Sequence, residues 1–92
     1  MPRVEFEWDP AKSEATKLRR GIAFDRAAEI FTGRTLEWPD ERKNYGEFRL
    51  RAVGESAGEL VHVVYTRRGQ TVRIISARHA NWKERSQWLS RE

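Results

Sequence analysis

Ninety-two residues make one domain with a small core, expected to bury only ~60–65% of the surface the unfolded chain exposes. The chain has no cysteine, so disulfides and thiolate metal sites are excluded, and no apolar run approaches the ~18 residues of a membrane span. Net charge is +4 but uneven: residues 1–59 hold 11 basic and 12 acidic side chains, residues 60–92 hold 7 and 2, and arginine outnumbers lysine 14 to 4. Guanidinium groups present a planar fork of donors suited to phosphate, so the last third of the chain points to a phosphate-bearing partner, with a solvated, ion-paired surface as the plain alternative.

The elements follow in chain order. Val4–Trp8 alternates apolar and charged residues and reads as a short strand. Asp9-Pro10 starts a helix, with a capping carboxylate and proline in the first turn. Ala11, Ala15 and Leu18 share one face of that helix, and Gly21 closes it. A second helix is expected over Asp25–Phe31, with Phe24, Ala27, Ala28 and Phe31 inward and Gly33 at its end. Thr35–Trp38 is a brief strand stopped by Pro39-Asp40, and Asp40–Gly46 is a polar loop.

A meander of three strands comes next: Glu47–Val53, a turn at Gly54–Gly58, Leu60–Thr66, a turn at Arg67–Gln70, and Thr71–Ala77. The period of two puts Phe48, Leu50 and Ala52 on one face and Glu47, Arg49 and Arg51 on the other. In the third strand Val72, Ile74 and Ser76 oppose Thr71, Arg73, Ile75 and Ala77, and the sets mix only if a bulge intervenes. A last helix covers Ala80–Ser90 with Trp82, Trp88 and Leu89. The whole is an α+β domain, residues 1–92, with helices on one side of the sheet and an open charged face on the other. The N-terminus, Met1-Pro2-Arg3-Val4-Glu5, lacks the apolar core of a signal peptide, and the expected location is the cytoplasm.

Metal-free cleavage of RNA needs a group to take the 2′-hydroxyl proton, cations for the charge growing on phosphorus, and a proton for the departing 5′-oxygen. Candidates for that chemistry are Glu47, Arg49, Arg73, Arg78 and Tyr65. Arg67, Arg51, Lys83 and His79 are candidates for substrate binding, with Arg68 beside Arg67 in the turn. Each has a plainer reading. Glu47 and Arg49 can be a surface pair, Arg73 a partner of Glu5 or Glu7, Tyr65 a core or rim aromatic, and His79 a capping or solvated residue. His62, among valines, reads as a packed or surface histidine. Two histidines in unrelated positions and no cysteine make no metal site, and no phosphate-cradling glycine loop is present.

Several segments together resemble the BrnT family of toxins. Phe6-Glu7-Trp8-Asp9-Pro10-Ala11-Lys12 is similar to its opening, Gly21–Ala27 to its second segment, and Tyr45-Gly46-Glu47-Phe48-Arg49 to its GExR. Val63-Val64-Tyr65-Thr66 resembles its VVYT, Arg73-Ile74-Ile75-Ser76-Ala77-Arg78 its RIISAR, and Glu84-Arg85 its late ER. The resemblance implies a RelE-like fold with an N-terminal strand, two helices, an antiparallel meander and a C-terminal helix. It implies a ribonuclease that needs no cofactor, blocks translation by cutting RNA (messenger RNA among the candidates), and is neutralised by a BrnA-like ribbon-helix-helix antitoxin. Operator DNA would be bound only through that antitoxin, and no membrane is involved. The family's polar site would fall on Glu47, Arg49, Arg73 and Arg78, with Tyr65 nearby.

Three departures stand out. The loop histidine that usually precedes GExR is replaced by Arg42-Lys43-Asn44-Tyr45; if that histidine shuttles a proton, either Lys43, Tyr45 or His79 replaces it here or activity is weaker. Ala23 stands where serine is usual, at a cost of ~1 kcal/mol in helix capping. Trp88 stands where tyrosine is common, which suits packing and not acid chemistry.

Overall fold

The computed structural model describes residues 4–91; the N-terminal reading at Met1-Pro2-Arg3 lies outside the described residues. Its elements are β1 (Glu5–Glu7), α1 (Pro10–Arg20), α2 (Phe24–Ala28) continued by a 3-10 turn (Glu29–Thr32), β2 (Thr35–Pro39), β3 (Leu50–Ser56), β4 (Glu59–Arg68), β5 (Thr71–His79) and α3 (Trp82–Ser90). One mixed sheet has the order β1-β5-β4-β3-β2, with β1 parallel to β5 and every other pair antiparallel. No described helix is long and apolar enough to cross a membrane.

Helix α1 begins and ends where its local chemistry dictates. The Asp9 carboxylate accepts from the Ala11 N–H at 2.9 Å, and Gly21, at φ 77°, donates its N–H to the Lys17 carbonyl at 2.9 Å. Its orientation differs from the expectation. Ala11, Ala15 and Leu18 face solvent, Leu18 with 82% exposed, while Ser13 and Thr16 turn inward. Polar contacts set this rotation: Ser13 Oγ accepts the Phe24 N–H at 2.9 Å, and Arg20 donates to the Ala77 carbonyl at 3.3 Å. Ser13 thereby serves the first N–H of α2, whose N-cap Ala23 has no side chain able to do so.

The expected turn at Gly54 is a strand. Gly54 pairs with Thr35 on one side and Val61 on the other, and the chain reverses instead at Ala57-Gly58, with φ of 51° and 79°. A Cβ on Gly54 would lie 2.9 Å from the Ile30 Cβ, so the glycine lets the 3-10 turn press directly on β3. The strand correspondingly starts at Leu50 and not at Glu47. Phe48, expected inward, is 69% exposed. Arg67 and Arg68, expected in a turn, end β4, and the reversal falls at Gly69-Gln70.

A bulge does intervene in β5. Val64 pairs with Ser76 but Tyr65 with Ile74, leaving Ile75 as the extra residue. Val72, Ile74 and Ala77 therefore all join the main core, with Ala52, Val61, Val63 and Tyr65, with Ile22 from the α1–α2 connection, and with Phe24, Ala27 and Ile30 from α2 and the 3-10 turn. The opposite face carries Arg51, His62, Val64, Thr66, Arg73 and Arg78 by pairing and alternation. It is not simply open, because α3 packs over one end, where Trp88, Ala80 and Val53 form a second small core against Leu36, Trp38 and Leu60.

Candidate active site

Glu47, Arg49 and Arg73 line one cleft of ≈ 240 Å³, together with Asp9, Lys12, Ile74 and Ile75. Three separate pieces of chain build it. Strand β5 presents Arg73 next to the bulge. The first turn of α1 brings Asp9 and Lys12. The loop between β2 and β3 supplies Glu47 and Arg49.

That loop is held by short-range chemistry. The Asp40 N–H donates to the Arg49 carbonyl at 2.8 Å and closes the loop at its base. The buried Asp40 carboxylate takes Arg42 through two contacts of 2.6 and 2.9 Å, and this guanidinium holds the acid below its usual range. Asn44 Oδ1 accepts the Gly46 N–H at 2.9 Å, with Gly46 at φ 74°. Arg49 is fixed twice over: its Nε donates to Glu47 at 3.0 Å, and its guanidinium lies 3.9 Å from the centre of the Tyr45 ring.

The cleft mixes signs. Arg73 donates to Glu7 at 3.1 Å, the pairing anticipated as its plainer role, and Arg68 lies 4.0 Å from the same carboxylate. Both cleft arginines thus have one carboxylate neighbour each, in partly exposed single contacts that an incoming phosphate can displace at little cost. Lys12 forms no ion pair among the described residues. The result is three cations and the carboxylates of Glu47 and Asp9 around one solvent-accessible space.

Other candidates lie elsewhere. Arg78 does not line this cleft. Both of its terminal nitrogens bind Glu84, at 2.9 Å each, and Glu84 also accepts the Asn81 N–H at 2.9 Å. Burial pushes the Glu84 acid up, but Arg78 and the Asn81 N–H outweigh it and hold the group down at about 2. His62 lies 3.8 Å from Glu84, fully buried, with neither ring nitrogen hydrogen-bonded. Burial, reinforced by the charges of Arg78, Arg51 and Arg42, pushes His62 down to about 4.

Tyr65 is wholly buried, its ring edge-on to Phe31, and its hydroxyl donates to Glu37 at 2.6 Å. Burial and then Glu37 push this phenol well above its ordinary range. Arg67 sits over the Tyr65 ring, Arg51 over Trp38 and Lys83 over Trp82. His79 faces Glu59 at 3.4 Å, which in turn binds Arg26. None of Tyr65, Arg67, Arg51, Lys83 or His79 lines the cleft. Among the described residues no group of three or more His, Cys, Asp or Glu side chains could hold a metal ion.

Lys12 and Asp9 were not singled out by sequence reasoning. The Asp9-Pro10 pair reads first as a helix start, and that local role conceals its second consequence. Starting α1 there places the exposed positions of its first turn beside β5.

A family model described as ribonuclease toxin, BrnT, of type II toxin–antitoxin system matches residues 8–84. No curated protein matches the chain. The matched segment contains Lys12, Glu47, Arg49 and Arg73, and therefore the cleft's cations and its Glu47 carboxylate.

Proposed function

We propose that this chain, which belongs to the BrnT family of ribonuclease toxins of type II toxin–antitoxin systems, cuts RNA in the cleft between α1, β5 and the β2–β3 loop, without a metal. Glu47 takes the proton from the attacking 2′-hydroxyl. Arg49, Arg73 and Lys12 face the phosphoryl oxygens as their charge grows. Lys12 also supplies the proton for the departing 5′-oxygen, since arginine does not give one up near neutral pH. The P–O5′ bond breaks as the O2′–P bond forms, which leaves a 2′,3′-cyclic phosphate and a free 5′-hydroxyl. On this reading Arg78 and Tyr65 act structurally: Arg78 anchors α3 through Glu84, and Tyr65 ties β4 to β2 through Glu37.

The observation that carries the reading is the convergence of Glu47, Arg49, Arg73 and Lys12 on one cleft from three separate chain segments. On this reading the chain is a RelE-like toxin acting on RNA in the cytoplasm, arresting translation and held in check by a BrnA-like ribbon-helix-helix antitoxin through which it reaches operator DNA; the family match supports the toxin–antitoxin part of that setting. The test is direct. Chain freed of antitoxin should cleave RNA, with or without ribosomes, and leave cyclic phosphate ends, and the ribosome-free reaction should survive a chelator. Intact RNA with and without ribosomes would end the enzyme reading, and cleavage lost only on adding the chelator would end the metal-free one. Tight, salt-sensitive RNA binding with no scission would favour the alternative function, a non-catalytic basic module that binds nucleic acid or protein, which the Arg49–Glu47 and Arg73–Glu7 pairs also allow.

A further inference from the structure

Helix α3 has two opposite faces with different chemistry. Glu84 and Trp88, one turn apart, point into the protein and are buried. Trp82 and Leu89, seven residues apart, point out and are 74% and 80% exposed. Two helical turns separate them by ~10.5 Å, with the small Ser86 between, so the outer face is a ridge with a notch. Large apolar side chains at such spacing on a helix that already has a separate buried face are not needed for folding.

The charge around this ridge is one-sided. Between Trp82 and Ser90 the chain has one acid, Glu84, and that carboxylate is turned inward to Arg78 and the Asn81 N–H. Lys83 and Arg85 remain on the solvent side with no acid on the same helix to offset them. The ridge is also rigid. The Asn81–Glu84 capping box fixes the start of α3, the bidentate Arg78 contact ties it to β5, and Trp88 is seated in the second core. A rigid apolar ridge whose exposed charges on α3 are both cations fits an acidic amphipathic helix, whose apolar residues close on Trp82 and Leu89 and whose carboxylates meet Lys83 and Arg85. The other apolar stripe, Ala11-Ala15-Leu18 on α1, lacks this character, because Glu14 is exposed within it.

We propose that the outer face of α3, through Trp82 and Leu89, is the docking ridge for an acidic amphipathic helix of the protein antitoxin. The proposal rests on the family reading that such a partner exists, and it goes beyond the cleft, which does not include α3.

The experiment uses the full chain and its cognate antitoxin protein, with affinity measured by calorimetry. Trp82→Ser combined with Leu89→Ser should weaken binding by about 100-fold, as loss of two apolar anchors does. Arg85→Glu should weaken it by roughly 10-fold and flatten its dependence on salt. Leu18→Ser on α1 should leave it within about threefold, a negligible difference in free energy. Thermal melts of each variant check that the fold is kept.

Unchanged affinity in the folded double variant would overturn the ridge. So would a larger loss from Leu18→Ser. A loss of binding to a single-stranded RNA oligonucleotide, with antitoxin affinity intact, would assign the ridge to RNA. Self-association of the free chain abolished by the double variant would assign it to a second copy. Failure of the unaltered chain to bind the antitoxin would instead overturn the family reading beneath the proposal.

Discussion

The chain uses arginine–carboxylate pairing in two regions to opposite ends. In the cleft, Arg49 meets Glu47 and Arg73 meets Glu7 through single contacts of 3.0 and 3.1 Å, partly open to solvent. Beneath α3, Arg78 grips a buried Glu84 with both nitrogens, a backbone N–H joins them, and His62 closes the cluster. A single exposed contact contributes little to stability and can be exchanged for a phosphate. A bidentate contact to a buried acid is costly to break, because the remaining partner would be left charged in a dry site. On the proposed reading, equal residue types therefore divide into a reactive set and a structural one. What divides them is solvent access and the number of bonds per carboxylate.

Activity should sharpen the division most. Glu47→Gln keeps the shape of the cleft and removes the proton acceptor, so kcat for RNA cleavage should fall by roughly 10²–10⁴-fold. Arg73→Ala should be of similar severity in cleavage, yet loss of its Glu7 contact should cost no more than ~1 kcal/mol of stability. Parallel cleavage assays and denaturant titrations separate the two quantities. A large stability loss in Arg73→Ala with activity retained would move Arg73 into the structural set.

Arg78→Ala should behave in the reverse way. Removing the partner of buried Glu84 should destabilise the fold by about 3–5 kcal/mol. In a domain of this size each 1 kcal/mol shifts the melting temperature by roughly 4–8 °C. Any fall in cleavage should then track the unfolded fraction and recover when the folded fraction is restored at lower temperature. Cleavage lost in fully folded Arg78→Ala would return Arg78 to the catalytic set.

Much of this could be read in the sequence where the cause is local. The cap and stop of α1 at Asp9 and Gly21 follow from adjacent residues, as does the strand character of β4 and β5. What escaped depends on contacts distant in the chain. Leu18 faces out because Ser13 is bonded to Phe24, eleven residues on. Gly54 resembles a turn residue until Ile30 is seen pressing on it. Ile75 is left unpaired by the register in which β5 meets β4, which moves Ala77 into the core against strict alternation.

The site divides likewise. Glu47, Arg49 and Arg73 were legible as residue types on neighbouring segments, whereas Lys12 joins them only through the docking of α1 on β5. The capture of Arg78 had one available signal. Asn81 followed three residues later by Glu84 is a capping-box spacing, which turns the carboxylate back toward the strand end where Arg78 stands.

The smallest effect concerns pH and distinguishes the two acid-sensitive members of the buried cluster. His62 is folded in its neutral form, with its proton affinity lowered from 6.5 to about 4. An unfolded chain binds that proton from pH 6.5 downward while the folded one does not, so stability present above pH 6.5 falls as the pH drops toward 4. Glu84 is folded as the anion, lowered from 4.5 to about 2, so its contribution holds above pH 4.5 and is lost as the pH falls toward 2. Both act in the same direction but in successive windows. Melting temperature should therefore decline in two stages on acidification. His62→Leu removes the titrating group and should flatten the stage between pH 6.5 and 4, leaving the lower one intact. A first stage that persists unchanged in folded His62→Leu would assign it to a group outside the cluster, and the claim that α3 is fastened by a dry Arg78–Glu84–His62 assembly would lose its thermodynamic support.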